Sequence, residues 1–288
     1  MEPFEQVPGK IGAAWSWSAE ILSAAGVEQP ENEARILLGF VLGIPVWRLC
    51  LEPDRILDRR RKFWEVTLRR AAREPLAYIV GEWGFHEIVL GTDARALIPR
   101  PETELLVETA LELVPSPVRC LDVCCGSGAV ALALATVLPR AWVGASDISA
   151  PALSLARSNS RRLGLQERVE FRQGDLFHPW QGESGFDLIT ANPPYVKLKE
   201  WQELEPEIRE YEPALALQGG EDGLALIRRV VKAAQEFLRK EGVLLVEIGA
   251  DQEMSVAFLV RSGGGYVDIE ILRDLNGRGR VLRARRRS

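Results

Sequence analysis

From about residue 118 to the C-terminus, short apolar runs alternate with helical stretches, and no other feature limits the fold as strongly. The runs are Val118–Val123, Ala141–Ala145, Val169–Arg172, Phe186–Ala191 and Val243–Ile248. Ala129–Leu138 and Pro151–Leu163 are the clearest helical stretches between them. Repetition of this kind builds a mostly parallel sheet with helices on both faces. Two last runs, Tyr266–Leu272 and Arg280–Arg283, have no helix between them and predict an antiparallel finish. The expected fold is α/β, and open sheets of this type bind ligands at the carboxyl ends of their strands.

The chain before this region reads differently. From about Trp15 to Arg73 the pattern is helical: Trp17, Ile21, Leu22 and Ala25 recur at helical spacing before Gly26, and Glu31–Leu42 and Leu57–Ala72 give two further runs. Between Tyr78 and Ile98, Gly81, Gly84 and Gly91 punctuate aromatic and β-branched residues, which predicts a hairpin. Pro99-Arg100-Pro101 then opens a helix, with Glu102 and Glu104 at its positive end. The expected organisation is a small helical bundle over 1–73, a β-hairpin linker over 74–98 and an α/β domain over 99–288.

Several functional classes are disfavoured by composition. The chain has 288 residues, 47% hydrophobic and 27% charged, and no apolar stretch of membrane-spanning length. Its N-terminus lacks the order of a signal or transit peptide, so the expectation is a cytoplasmic protein with no membrane partner. The net charge of −5 argues against direct nucleic-acid binding, because phosphate contacts demand a basic excess. The arginines at 278, 280, 283 and 285–287 read as a solvated, partly frayed tail. The spacing of Cys50, Cys120, Cys124 and Cys125 matches no zinc pattern, and His86 and His178 stand far apart, so no metal is expected.

Three stretches carry cofactor chemistry. Asp122 ends a strand that runs into Cys124-Cys125-Gly126-Ser127-Gly128 and an Ala-rich helix, a turn whose backbone amides can approach a ligand. Asp147 ends the next strand, where an acid either holds ribose hydroxyls or caps the following helix. Asp175 and Leu176 follow the third strand and could receive an adenine amine and its ring, or form a plain turn. Together they point to an adenosine-type cofactor.

The reactive signal follows the fourth strand as Asn192-Pro193-Pro194-Tyr195. Two prolines stop the strand and hold a rigid loop, which aims the Asn192 side chain and the Pro193 carbonyl into the cleft. A planar NH₂ needs two such acceptors, and Tyr195 offers a flat apolar face beside them. The alternative is a turn that is rigid and nothing more.

Taken together, Asp122 to Gly128, Asp147 and Asn192-Pro193-Pro194-Tyr195 resemble the class I amino-methyltransferases, which act on amide or exocyclic amino nitrogens. Arg73–Gly81 resembles the interdomain linker of protein-(glutamine-N5) methyltransferases. Ile98-Pro99-Arg100-Pro101-Glu102-Thr103-Glu104 and Tyr211–Leu217 with Gly219-Gly220 are similar to the branch that modifies peptide chain release factors. The resemblance implies a Rossmann-like seven-stranded class I methyltransferase sheet and S-adenosyl-L-methionine as cofactor, with S-adenosyl-L-homocysteine as product. It implies as substrate the glutamine of the Gly-Gly-Gln loop of a release factor, a step in translation termination, with the helical N-terminal domain helping to recognise that factor. A monomer is expected.

By position, Asn192, Pro193 and Tyr195 would be catalytic and, with Pro194, bind the target amide. Asp122, Cys124, Cys125, Gly126, Ser127, Gly128, Asp147, Asp175, Leu176 and Asn192 would surround the cofactor. One departure stands out: the family usually has glycine where this chain has Cys124, and Cys125 commonly replaces a threonine. A side chain at 124 meets an unfavourable backbone angle or crowds the methionine end. The rival readings are a ribosomal-protein glutamine methyltransferase, an adenine-N6 DNA methyltransferase, an idle binding module and a nicotinamide dehydrogenase.

Overall fold

The computed structural model describes residues 2–113 and 119–288, so Pro115-Ser116-Pro117 and the expected strand start at Val118 lie outside the described residues. Two compact units emerge: the chain up to Gly81 with Glu205–Tyr211, and Glu82–Leu204 with Glu212–Ser288.

The first unit is helical, with α1 (Ile11–Ala24), α2 (Pro30–Leu42), α3 (Val46–Leu49), α4 (Arg60–Ala71) and α5 (Leu76–Val80). Helix α1 buries Ile11, Ala14, Ser18 and Leu22, one stripe at spacings of three and four. Helix α2 has Pro30, Glu31 and Glu33 in its first turn and stops at Gly43, where φ is 68°. Leu22, Leu37, Leu38 and Phe63 are fully buried. Inside this core Ser18 and Thr67 share a hydrogen bond of 3.1 Å.

Glu205–Tyr211 joins this unit through charge. Buried Arg70 reaches Glu33 at 2.5 Å and Glu207 at 2.7 Å, and Arg73 reaches Glu207 at 2.6 Å. Tyr211 Oη donates to the Ala72 carbonyl at 2.8 Å. A buried guanidinium left unpaired costs several kcal/mol, on the order of 3–5, so these carboxylates hold the segment in place.

The 74–98 stretch is only partly a hairpin. Leu76–Val80 is helical, entered from Pro75 and ended by Gly81 at φ 80°. Burial of Leu76, Ala77 and Ile79 within the helical unit outweighs the β-propensity of Tyr78, Ile79 and Val80. The antiparallel hairpin itself is β1 (Glu82–Phe85) with β2 (Ile88–Gly91).

In the second unit a turn of 3₁₀ helix, Pro101–Thr103, precedes α6 (Glu104–Leu113). There follow β3 (Arg119–Val123), α7 (Ala129–Val137), β4 (Trp142–Asp147), α8 (Ala150–Leu163), β5 (Val169–Gln173), β6 (Phe186–Ala191) and α9 (Pro206–Tyr211, in the helical unit). The remainder is α10 (Ala225–Phe237), β7 (Leu238–Glu247), α11 (Glu253–Gly263), β8 (Tyr266–Arg273) and β9 (Gly279–Arg286). The seven strands run in the order β5-β4-β3-β6-β7-β9-β8, parallel except for β9.

Successive residues of the central strands face opposite layers, as the pleat requires. Cys120, Leu188 and Leu245 join α6 and α7 on one face, while Leu121, Ile189, Leu244 and Val246 join α10 and α11 on the other. Helix α7 is buried from Ala129 to Ala135, and its small side chains allow close approach to the sheet. Gly144 serves the same end in β4, since a Cβ there would lie 2.7 Å from buried Trp180.

The arginine-rich end is not a frayed tail. Residues 279–286 form β9, with Val281, Leu282 and Ala284 buried between β7 and β8. Its arginines meet acids: Arg280 pairs with Asp274 at 3.0 Å, Arg285 with Glu241 at 2.8 Å, and Arg283 with Glu270. The strand expected at Arg280–Arg283 is present and longer, and it takes in most of the arginines that read as a tail. No helix of the described residues is long and apolar enough to cross a membrane.

Candidate functional site

The strand order reverses between β3 and β6: β4 and β5 lie to one side of β3, β7 and the last two strands beyond β6. Connections leave such a neighbouring pair in opposite directions and open a crevice at their carboxyl ends. Val123 pairs with Ala191 across it, so Cys124 and Asn192 begin their loops side by side. A cavity of about 270 Å³ occupies this position, lined among others by Asp122, Cys124, Asp147, Leu176, Asn192 and Arg229.

One wall is the turn from Cys124 to Gly128. Cys124, Gly126 and Gly128 all have positive φ, at 62°, 55° and 83°. The alternation folds the backbone tightly enough for the Cys125 N–H to reach the Ser146 carbonyl at 3.1 Å. Asn159 Nδ2 donates to the Ser127 carbonyl at 3.1 Å. Asp147 spans the turn: its Oδ2 accepts from the Gly126 N–H and its Oδ1 from the Ser149 N–H, each at 2.8 Å. The carboxylate therefore braces the turn and the approach to α8, whose N-cap contact is made by Ser149 itself.

The left-handed angle at Cys124 is one where glycine costs nothing and a side chain costs about 1 kcal/mol or more. Cys124→Gly is expected to raise the melting temperature by roughly 2 °C, and β-branched Cys124→Val to lower it by more. Calorimetry on the two variants checks this; a valine variant as stable as wild type would show that the angle carries no strain. Burial holds both Cys124 and Cys125 thiols well above the usual range, so they remain neutral.

Asp122 lies deeper. Its Oδ1 accepts from Thr190 Oγ1 at 2.7 Å, while Oδ2 is buried without a protein partner among the described residues. Burial pushes the carboxyl up to about 7, against the pull of Thr190. With the folded value above the unfolded one, near 4, the native state binds the extra proton between these limits. The stability it contributes is complete below about pH 4 and is lost as pH rises through about 7, with a slope of at most ~1.4 kcal/mol per pH unit. Melting temperatures across this range are expected to fall less steeply for Asp122→Asn than for wild type, and equal slopes would contradict the shift.

The opposite wall holds the Asn192 loop. Asn192 and Pro194 line the cavity, whereas Pro193, Tyr195 and Gly128 stand outside its lining. The loop is tied to a second segment: Val196 N–H donates to Leu217 O at 2.9 Å and Gly219 N–H to Val196 O at 2.8 Å. Gly219 permits this approach, because a Cβ there would come within 2.7 Å of Tyr195 Cα. Glu212, buried, accepts from the Ile98 N–H at 3.0 Å and pairs with Arg100, joining the segment around Ile98–Thr103 to Glu212–Ala216 at the cavity.

Two more predicted residues sit at the rim. Asp175 pairs with Arg229 of α10 at 2.5 Å, and Leu176, at φ 49°, is buried with its carbonyl accepting from Ser146 Oγ. Sequence reasoning missed Arg229 and also Glu247, the fully buried end of β7. Glu247 accepts from Thr103 Oγ1 at 2.6 Å and from Tyr195 Oη at 3.1 Å. An acid closing the otherwise apolar Val243–Ile248 run was the available signal. Burial raises the Glu247 carboxyl, and burial and the Glu247 charge raise the Tyr195 phenol, which stays neutral and donates.

A seven-stranded sheet with one antiparallel strand and a glycine turn at its switch point defines a class I methyltransferase fold. Residues 13–81 match the PrmC N-terminal domain and residues 101–208 the methyltransferase small domain. A release factor glutamine methyltransferase of Moorella thermoacetica is 42% identical over 270 residues, covering 92% of this chain and 95% of that one. The Deinococcus radiodurans protein of the same name is also 42% identical, over 92% and 94%. The chain belongs to the release factor glutamine methyltransferase family. Its fold is also shared with a methyltransferase from Pyrococcus furiosus, at TM-score 0.52 and 16% identity over 69% of this chain and 88% of that one.

Proposed function

We propose that the protein transfers the methyl group of S-adenosyl-L-methionine to N5 of the glutamine in the Gly-Gly-Gln loop of peptide chain release factors, leaving S-adenosyl-L-homocysteine. The observation that carries the reading is the meeting of the Cys124–Gly128 turn and Asn192 at one crevice. The residues present fit the cofactor: Asp122 Oδ2 is an orphaned acceptor suited to a cationic group, and the walls around Cys124, Leu176 and Ile148 are largely apolar. Asp147, Asp175 and Leu176 would hold the adenosine portion. When bound, the cofactor supplies a methyl group on positively charged sulfur.

The chain's own residues then have one task, which is alignment. An amide nitrogen is a weak nucleophile because its lone pair is delocalised. Asn192 Oδ1 and the Pro193 carbonyl would accept the two N–H bonds of the target, holding its nitrogen in place. Tyr195 would pack against the amide plane. The nitrogen gains the methyl and loses one proton, which leaves to water. The helical unit would help to recognise the factor.

The test is a radiolabelled methyl-transfer assay offering unmodified release factor and adenine-containing duplex DNA in parallel. Label mapped by mass spectrometry to the Gly-Gly-Gln glutamine is expected. Label on DNA, or on neither, overturns the reading.

A further inference from the structure

Four side chains from three parts of the chain meet at the Asn192 loop. Thr103 ends the 3₁₀ turn before α6, Asn192 and Tyr195 follow β6, and Glu247 ends β7. Val246 pairs with Ala191, which brings the end of β7 beside the start of the loop. Asn192 Nδ2 donates to Thr103 Oγ1 at 3.1 Å, and Thr103 Oγ1 donates to Glu247 Oε2 at 2.6 Å. Tyr195 Oη donates to Glu247 Oε1 at 3.1 Å. Thr103 and Glu247 are 4% and 1% exposed, so the bond between them is shielded from water, while Asn192 and Tyr195 are half-buried.

The chain of bonds has a direction. When Glu247 is ionised its carboxylate only accepts, so the threonine hydroxyl and the phenol both turn their hydrogens toward it. Thr103 has one hydrogen, and once it is given to Glu247 the oxygen faces Asn192 with lone pairs alone. It can accept from the Asn192 NH₂ and has nothing to donate to Oδ1. A flipped Asn192 would set two acceptors against each other in a half-buried place, at a cost of about 1–3 kcal/mol. Such a cost suppresses the flipped form roughly 5- to 150-fold.

We propose that Thr103 and Glu247 are positioning residues that fix the Asn192 amide in one orientation, NH₂ toward Thr103 and Oδ1 toward the target amide. This rests on the reading of Asn192 as an acceptor for the substrate N–H. With Oδ1 replaced by NH₂ at the same place, a donor would face a donor, and the target nitrogen would lose its alignment. The carboxylate acts without touching substrate or cofactor.

Glu247→Gln tests this directly, because glutamine keeps the shape but can donate as well as accept, which removes the direction of the chain. Its kcat is expected to fall by about 10²-fold while KM for the release factor and the dissociation constant for S-adenosyl-L-homocysteine change less than about threefold. Thr103→Val should fall similarly, and Thr103→Ser, which keeps the hydroxyl, should stay within about threefold of wild type. The Thr103→Val/Glu247→Gln double variant should fall no further than either single one, since residues acting as a unit are not additive. Folding is followed by melting temperature, and if Glu247→Gln does not fold, the valine–serine comparison at 103 carries the test. Turnover near wild type in Thr103→Val or Glu247→Gln, with Asn192→Ala inactive, overturns the proposal. Equal losses in the valine and serine variants also overturn it. An active Asn192→Ala would instead remove the role of Asn192 on which the proposal stands.

Discussion

Asn192→Ala is expected to lower the rate of methyl transfer by about 10³-fold and to change cofactor affinity less than about threefold. The large effect on rate follows from what the reaction lacks. The two thiols of the cavity are held neutral, Asp147 is engaged by backbone N–H groups and Asp175 by Arg229, and Asp122 is assigned to the cofactor. Alignment of a weak nitrogen nucleophile is therefore the contribution the proposed reading gives to the protein. On the proposed reading, removing one of two acceptors frees the target nitrogen to rotate out of line. Cofactor affinity is spared because the bracing of the opposite wall, from Asp147 to Gly126 and Ser149, does not involve Asn192. Single-turnover kinetics with saturating release factor, alongside calorimetric titration with S-adenosyl-L-homocysteine, separates the two quantities. Wild-type turnover would take Asn192 out of the mechanism.

Asp147→Ala should produce the opposite pattern: a dissociation constant for S-adenosyl-L-homocysteine raised about 10- to 100-fold, with kcat at saturating cofactor little changed. The carboxylate satisfies two backbone N–H groups, and alanine leaves both without it. A donor left without a partner costs about 1–3 kcal/mol when buried and less in this half-buried turn, so the melting temperature should drop by a few degrees, at roughly 2–4 °C per kcal/mol in a chain of this size. Asp147→Asn, which can keep one acceptor, should fall between. A lower melting temperature with unchanged affinity would make Asp147 a brace and no part of the ligand site.

Much of the architecture was legible in the order of apolar runs, because a strand–helix alternation leaves few ways to bury both element types. The helix at Leu76–Val80 was not, since Tyr78, Ile79 and Val80 favour a strand locally and only their burial in the helical unit decides otherwise. The arginines of β9 were misread for a related reason. Two of their partners, Glu270 and Glu241, are brought near by strand pairing, which a count of charges along the chain does not show.

The sequence by itself determined the chemistry of each short piece. Gly126 and Gly128 mark left-handed angles, paired prolines make a rigid loop, and acids end strands, because these are properties of a few neighbouring residues. Only the tertiary structure decided which pieces meet. The reversal of strand order at β3 sets Asn192 beside Cys124, and the pairing of β6 with β7 brings Glu247 behind Asn192. Thr103 lies 89 residues from Asn192 and 144 from Glu247, yet joins both by hydrogen bonds. Hydrogen-bond direction within such a cluster depends on which groups are packed together, and packing is a property that no local pattern encodes.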